Sequence, residues 1–518
     1  MSAVDDRDSW GRCEGVARIE TRHETGDGDH FRVDSEMEPC AAMLSTAESR
    51  EAMIISEVDG AGQEDASVET VRFVQGSSAL HVSCTLLRMF GAQARPYQSA
   101  AMRSVVWVPA NVGAIQLVGD IVVREGSSLA LRAEEGASAT LVLGKSQLRV
   151  EPGASLELIR IELVDAFGGG SALHVEGTVS VVNGTFARCK SEANVLVCYL
   201  EAAVPLGDGD GAPVAGAALG SAGGAVIVLW SAAQLRVSSG VLRDNEASGG
   251  SVFNWGGALF AIGGYISLTE ASLHHNVAAG GRFSVSGGAM SGAFAYIEMA
   301  DTVLLANEAR QRDGAITNSF NLGGGVWVQS STAKLRRCRF EGNAVSSAGG
   351  SGYGGAMFVD RSTVEVNGSW FSRNEASAGG KYAQSGAVHV TPGGRLAVAS
   401  TTFESHVAHG ATSSVECGNP PRHLAPLRHA HARHHSIRIS DSKLSPIETR
   451  THRATEGALA LRPSGAIHVY GGEMALASGV VFRENAALAS GSVSSRGGAV
   501  CVSEGGQFIA DDGGVSFV

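Results

Sequence analysis

Proline is scarce in this chain, 12 of 518 residues against 68 glycines. That shortage excludes a collagen-like or proline-rich extended chain, since both need proline well above its average share of about 5%. Positive charge is also in deficit. Lys and Arg number 40 against 52 Asp and Glu, a formal net charge of −12, so no broad basic field draws in nucleic acid or anionic lipid, and no nucleic-acid partner is expected. The eight cysteines, Cys13, Cys40, Cys84, Cys189, Cys198, Cys338, Cys417 and Cys501, contain no CxxC pair. Neither a zinc ribbon nor a disulfide framework can be read from them, and the redox compartment stays open. The opening residues, MSAVDDRDSWGRCEGVARIE, are charged where a secretory leader is apolar. That leaves an intracellular chain or one whose true start lies upstream. Only 211–235 runs uncharged for a membrane-spanning length. Its Gly, Ala and Ser content reads as a loop entering the strand GGAVIVL, so no membrane span is expected.

What the chain has instead is glycine in register. A small-residue pair followed by an alternating apolar strand recurs as GGAVIV, GGALFA, GGAMSG, GGGVWV, GGAMFV, SGAVHV, SGAIHV and GGAVCV. Counted on the second residue, Gly224, Gly257, Gly288, Gly324, Gly355 and Gly386 lie 33, 31, 36, 31 and 31 apart. Gly386 to Gly465 is 79, which implies an insertion, and Gly465 to Gly498 is 33. A second motif keeps step, with Asn245, Asn276, Asn307, Asn343, Asn374 and Asn485 each closing a segment such as FEGN or FSRN. From Gly257, Gly288, Gly324 and Gly355 the following Asn is 19 residues away every time. Two motifs held in one phase mark a repeat architecture, and the expected fold is all-β, a right-handed parallel β-helix with coils of about 31 residues.

Each motif has a physical role in such a coil. Strand side chains alternate faces, so positions two and four after the second Gly point inward; they include Val226 and Val228, Leu259 and Ala261, Met357 and Val359. The Gly pair suits a bend that needs positive φ or close packing. The Asn is expected in the left-handed region, forming an amide ladder from coil to coil, a structural role. The residue three after the second Gly points outward and reads Ile227, Phe260, Ser291, Trp327, Phe358, His389, His468 and Cys501. Phe260, Trp327, Phe358 and His389 are therefore the candidate binding residues, an external stripe able to stack on sugar rings or a protein partner. The competing reading is that long loops cover them as a second apolar layer.

The paired GGA[I/L/V] and FxxN pattern resembles the repeat of the chlamydial polymorphic outer membrane proteins and related β-helix proteins, over about residues 170–505. The resemblance implies a parallel β-helix of the pectin-lyase-like kind, displayed at a cell surface and acting in adhesion. The signal peptide and C-terminal membrane barrel of the bacterial members are not legible in this sequence, which stops at Val518 in mid-repeat.

Many parallel β-helices are polysaccharide lyases or hydrolases, and such chemistry needs clustered carboxylates on stacked coils. Asp360 ends an outward strand, but its stacked equivalents, among them Ile262, Ala293, Gln329 and Thr391, are not acidic, so it reads as a solvated surface residue. Asp511 and Asp512 read as a turn, and Glu246, Glu308 and Glu375 as a repeated preference after the Asn. Half of the 16 histidines, His406, His409, His423, His429, His431, His434, His435 and His452, crowd an Arg-rich stretch that also holds Pro420, Pro421 and Pro426. That stretch reads as a solvated insertion with no diagnostic metal-ligand spacing. The sequons at Asn183 and Asn367 are weak evidence for secretion.

The expected organisation is a polar N-terminal region at 1–67, irregular coils at 68–169, and regular coils at 170–518 interrupted by the insertion at 406–453. The expected function is a non-catalytic, cofactor-free scaffold at a cell surface or outside the cell, taking a glycan or protein ligand through its edge loops and stripe. The alternatives are a carbohydrate-active enzyme on the same fold and a fragment of a larger repeat protein.

Overall fold

The computed structural model describes residues 49–56, 69–76, 79–83, 103–108, 113–167, 170–192, 220–250, 252–311, 319–379, 382–410, 465–489, 499–503, 505–510 and 514–518. The chain divides into two compact units, Met1–Ala47 and Glu48–Val518; the first lies outside the described residues. Every regular element among the described residues is a strand.

One coil shows the plan. Its five strands are Leu259–Ile262, Tyr265–Thr269, Ser272–His274, Val277–Ala279 and Ser284–Ser286. The next coil repeats them at Met290–Ala293, Tyr296–Ala300, Val303–Leu305, Glu308–Arg310 and Phe320–Leu322. Equivalent strands pair in parallel, Leu259 with Met290, Ile266 with Ile297 and Leu273 with Leu304. First strands build an 11-stranded sheet, fourth strands an 8-stranded sheet and fifth strands a 6-stranded sheet. This is a parallel β-helix.

The first three strands enclose the main core, because their alternate side chains are apolar and point inward. Leu259, Ala261, Ile266, Leu268 and Leu273 are all buried there. The Phe of each FxxN segment stacks on the next, Phe340 on Phe371 at 4.5 Å, Phe371 on Phe403 at 4.8 Å and Phe403 on Phe482 at 5.1 Å. That last pair spans the break in the repeat. The coil ending at Gly410 therefore stacks directly on the one resuming at Gly465. His406 and the fourth strand Val407–Gly410 are regular parts of that coil, so the insertion begins after Gly410 and not at 406. Residues 411–464, with the remaining histidines, lie outside the described residues.

The Gly pair divides its work. The first Gly turns left-handed, with φ of 60° at Gly256, 62° at Gly287 and 68° at Gly354, and Ser385 takes the same turn at 64°. The second is squeezed between coils: a Cβ on Gly257 would lie 2.1 Å from the Gly288 carbonyl oxygen. The left-handed residue beside each ladder Asn is the one before it, as at Asp244, His275, Ala306 and Arg373. The Asn is thus not selected for positive φ, contrary to expectation. It is selected for hydrogen bonding. Asn307 donates its backbone N–H and its Nδ2 to Asn343 Oδ1 at 3.1 and 2.9 Å, and Nδ2 also donates to the Leu273 carbonyl at 2.9 Å.

The coils at 115–192 are shorter, and strands ahead of them form an antiparallel meander. Ser49–Ser56, inside the segment read as a polar N-terminal region, pairs antiparallel with Glu69–Gly76, which pairs with Ala79–Ser83. Ser49–Ser56 also pairs antiparallel with Arg103–Val108, the strand that begins parallel stacking. Such a meander covers a strand edge that would otherwise template further pairing. Among the described residues no helix is long and apolar enough to cross a membrane. Within 211–235, Gly220–Ala222 and Val226–Leu229 are strands, and 211–219 lies outside the described residues.

Candidate functional site

Phe260, Trp327, Phe358 and His389 lie on the outward face of the first-strand sheet and stack in register through Ser291. They are not exposed. Their fractional exposures are 0%, 5%, 7% and 4%, so the external stripe is a buried layer. The cover is not loop but strand: the fifth strands fold back across this face. Trp255 stacks on Phe260 at 5.8 Å, and Tyr353 meets Phe358 at 6.2 Å and His389 at 5.1 Å. Ala222, Ile227, Trp255, Phe260, Ala293, Trp327 and Phe358 form a second apolar core. A strand of three residues between glycines carries little pattern, which is why sequence reasoning missed this cover.

The same burial explains the histidines. His389 and His468 stack edge-on at 5.0 Å; His468 Nδ1 lies 2.7 Å from Gln384 Oε1 and its Nε2 2.9 Å from Ser503 Oγ. Loss of water holds the His389 imidazole well below its ordinary pKa and brings His468 down to about 4. His406, read as part of the insertion, is a rung of the ladder. Its Nδ1 accepts the Asn374 backbone N–H at 3.1 Å, and the His406 backbone N–H donates to Asn485 Oδ1 at 3.2 Å. Burial takes His406 down to about 3. The signal was present in the sequence, since Phe403 and His406 have the FxxN spacing and His406 is 20 residues from Gly386. Cys189 and Cys338 are free and buried, whereas Cys501 is disulfide-bonded.

Asp360 is not a lone solvated carboxylate. Gln329 Nε2 donates to its Oδ2 at 2.8 Å, Thr391 Oγ1 to its Oδ1 at 2.7 Å, and Arg361 Nη2 to its Oδ2 at 3.2 Å. Gln329 and Thr391 are its stacked neighbours on adjacent coils. The bond to a carboxylate, which offers only acceptors, fixes the Gln329 amide with Nε2 toward Asp360. Its Oε1 is then left buried without a hydrogen-bond partner, although Gln329 is only 6% exposed. An unpaired buried acceptor costs about 1–3 kcal/mol.

Next to this node runs the corner between first and second strands. Its left-handed position is occupied on successive coils by Trp230, Gly263, Phe294, Ser330 and Arg361, with φ of 81°, 74°, 55°, 47° and 46°. Phe294 donates its backbone N–H to the Gln329 carbonyl at 2.9 Å, which places it one coil before the node. A bulky side chain in this region costs roughly 1–2 kcal/mol relative to a right-handed one. Trp230 is 40% and Phe294 54% exposed, so burial contributes little against that cost at Phe294. Tyr265 and Tyr296 flank the corner, stacked at 5.7 Å, and both hydroxyls donate to Glu298, at 2.6 and 3.1 Å. The tyrosine hydroxyl bonds, led by Tyr265, hold the Glu298 carboxyl below its usual range. Sequence reasoning missed this corner because strand alternation is undefined at a turn.

The remaining candidates do not converge. Glu246, Glu308 and Glu375 open fourth strands that alternate with Val277, Ala344 and Val407. They therefore stand two coils apart, about 9.6 Å at the usual strand spacing. Asp511 and Asp512 lie outside the described residues. Among the described residues no group of three or more His, Cys, Asp or Glu is placed to hold a metal ion. The sequon residues Asn183 and Asn367 are both exposed. No protein-family model matches this chain, and neither a curated protein nor a solved structure matches it significantly.

Proposed function

We propose that this protein is a non-catalytic binding scaffold of the cell surface or extracellular space, in which the β-helix is a rigid rod and the first-to-second-strand corner presents the ligand-binding groups. The observation that carries this reading is the pair of exposed aromatic side chains, Trp230 and Phe294, held in the left-handed region. Left-handed backbone at a bulky residue is characteristic of functional positions, and exposed aromatics are characteristic of recognition surfaces. The role is compatible with adhesion, as in the polymorphic outer membrane proteins whose repeat this chain resembles. A glycan or protein array probed with the full chain, run beside a uronate-release assay on pectin and alginate with Ca²⁺, tests it. Ligand capture without product release supports the scaffold; product release replaces it with a polysaccharide lyase or hydrolase.

A further inference from the structure

Away from the first-to-second-strand corner, two histidines meet in a way that strand alternation does not provide. His274 ends the third strand Ser272–His274 on its outward face, and His275 follows it at the corner into the fourth strand Val277–Ala279. Alternation sends neighbouring side chains to opposite faces. His275 has a φ of 55°, however, and this left-handed turn brings its ring round beside that of His274. The two Nδ1 atoms lie 3.2 Å apart, with the rings nearly perpendicular at 86°. We propose that His274 and His275 form a bidentate surface site for a divalent transition-metal ion that prefers imidazole ligands, Zn²⁺, Cu²⁺ or Ni²⁺.

The geometry is that of a chelate. A zinc ion sits about 2.0–2.1 Å from each imidazole nitrogen, so two such ligands at a near-tetrahedral angle stand about 3.3–3.4 Å apart. The observed separation admits an ion between the two rings with little movement of either. Without an ion, one Nδ1 donates to the other; with one, both protons sit on Nε2 and both Nδ1 lone pairs face the metal. The backbone pins the pair from both sides. His275 donates its N–H to the Leu305 carbonyl at 3.0 Å, and the His274 carbonyl accepts from Asp244 at 3.2 Å. Burial, and then the neighbouring His275, lower the His274 pKa from its ordinary value, which keeps its lone pair free near neutral pH. Nitrogen ligands select these transition ions over Mg²⁺ or Ca²⁺. No third His, Cys, Asp or Glu among the described residues completes the set, so water takes the other positions. The equivalent pairs on the two adjoining coils are Arg243 with Asp244 and Leu305 with Ala306. Neither offers two lone-pair nitrogens. The site is independent of the scaffold reading above and stands or falls without it.

The histidines of the sequence at 411–464 can take up the same ions, so the test is read residue by residue. The full chain is carbethoxylated with diethyl pyrocarbonate in the presence and absence of Zn²⁺, and modification of His274 is followed by peptide mass spectrometry. Zn²⁺ is expected to slow that modification by about tenfold or more in the parent, while Mg²⁺ leaves it unchanged. The protection is expected to vanish in His275→Ala. Ala306 holds the same left-handed position one coil on, so this variant keeps the backbone. Equal modification with and without Zn²⁺, equal protection by Mg²⁺, or protection that survives in His275→Ala overturns the site. Where the reagent leaves His274 untouched in both states, equilibrium dialysis of the full chain against Zn²⁺ decides. The comparison is a chain carrying both His274→Leu and His275→Ala, which copies Leu305 and Ala306 of the next coil. One ion fewer bound by that chain supports the site, and an equal count overturns it.

Discussion

Asn374 donates its backbone N–H to Nδ1 of His406 at 3.1 Å, so an imidazole continues the hydrogen-bond line of five asparagines toward Asn485. That acceptor role requires the neutral ring protonated on Nε2. Adding a second proton would turn Nδ1 into a donor facing a donor. His406→Asn restores the amide rung and removes this conflict. The variant is expected to match the parent near pH 8 and to exceed it in urea midpoint at pH 5. Equal midpoints at both pH values would remove His406 from the acid response.

The three buried histidines of the coils flanking the insertion titrate in one direction. His406 and His468 have folded pKa values of about 3 and 4, and His389 is also lowered, all below the free value of 6.5. Below pH 6.5 the unfolded chain takes up protons that the folded chain refuses. Stability is therefore fully present above pH 6.5 and is lost as pH falls toward 4, by up to about 1.4 kcal/mol per pH unit for each histidine. Among the described residues, the polar groups facing them are His468, Ser385 and Tyr353 for His389, Gln384, Ser503 and Tyr470 for His468, and Asn374 for His406, none of them a carboxylate that would reverse the sign. Amide exchange in Val388–Val390 and Ile467–Tyr470 is expected to accelerate at pH 5 before that in Leu259–Ile262.

Asn307→Ala leaves two Asn276 donors, the backbone N–H and Nδ2, without their shared acceptor. A loss of about 2–4 kcal/mol is expected, from unpaired buried polar groups and the missing volume. Asn307→Asp keeps the acceptor but puts a carboxylate against the Leu273 carbonyl and Asn343 Oδ1, which now accept from Nδ2. It is expected to be worse at pH 7 and to recover partly when the carboxyl is protonated. Urea titration followed by far-ultraviolet circular dichroism distinguishes the two.

Two glycines of the repeat, one in the GGA pair and one in the FEGN segment, differ in consequence. A Cβ at Gly288 would lie 2.2 Å from the Gly324 carbonyl oxygen, whereas one at Gly342 meets nothing within 4 Å. Gly342→Ala is expected to cost about 1 kcal/mol, the penalty of a left-handed Ala. Gly288→Ala has to push two coils apart and is expected to prevent soluble expression or lower the melting temperature by far more.

Trp327→Ala removes a side chain from the second core. A loss of about 3–5 kcal/mol is expected, read as a lower melting temperature, while Phe294→Gly, at an exposed left-handed position, leaves the melting temperature unchanged or raised.

Much of this architecture is legible without coordinates. The spacing of 31, the constant offset of 19 from Gly257 to Asn276, and the alternation of Leu259 with Ala261 each describe one coil in the chain's own order. Stacking identical coils then has one parallel register, because a slip by one residue would turn Leu259 out and Phe260 in. The ladder follows from the same logic, since equivalent residues on adjacent coils are necessarily neighbours. His406 was readable too, and was obscured only by the histidines that follow it.

What lies over the outer face of a strand is a different kind of fact. Phe260 and Trp327 point outward from the first sheet, as alternation requires, yet they are buried because Trp255 and Tyr353 on the fifth strands close over them. Phe294 and Trp230 are exposed although nothing in their strand pattern distinguishes them. The sequence by itself determined the repeat, its register and its inward columns, because these depend on neighbours at fixed separation along the chain. Exposure depends on which segment returns across a face. Only the tertiary structure decided that Phe260 is core and that Gln329 Oε1 is a buried acceptor without a donor.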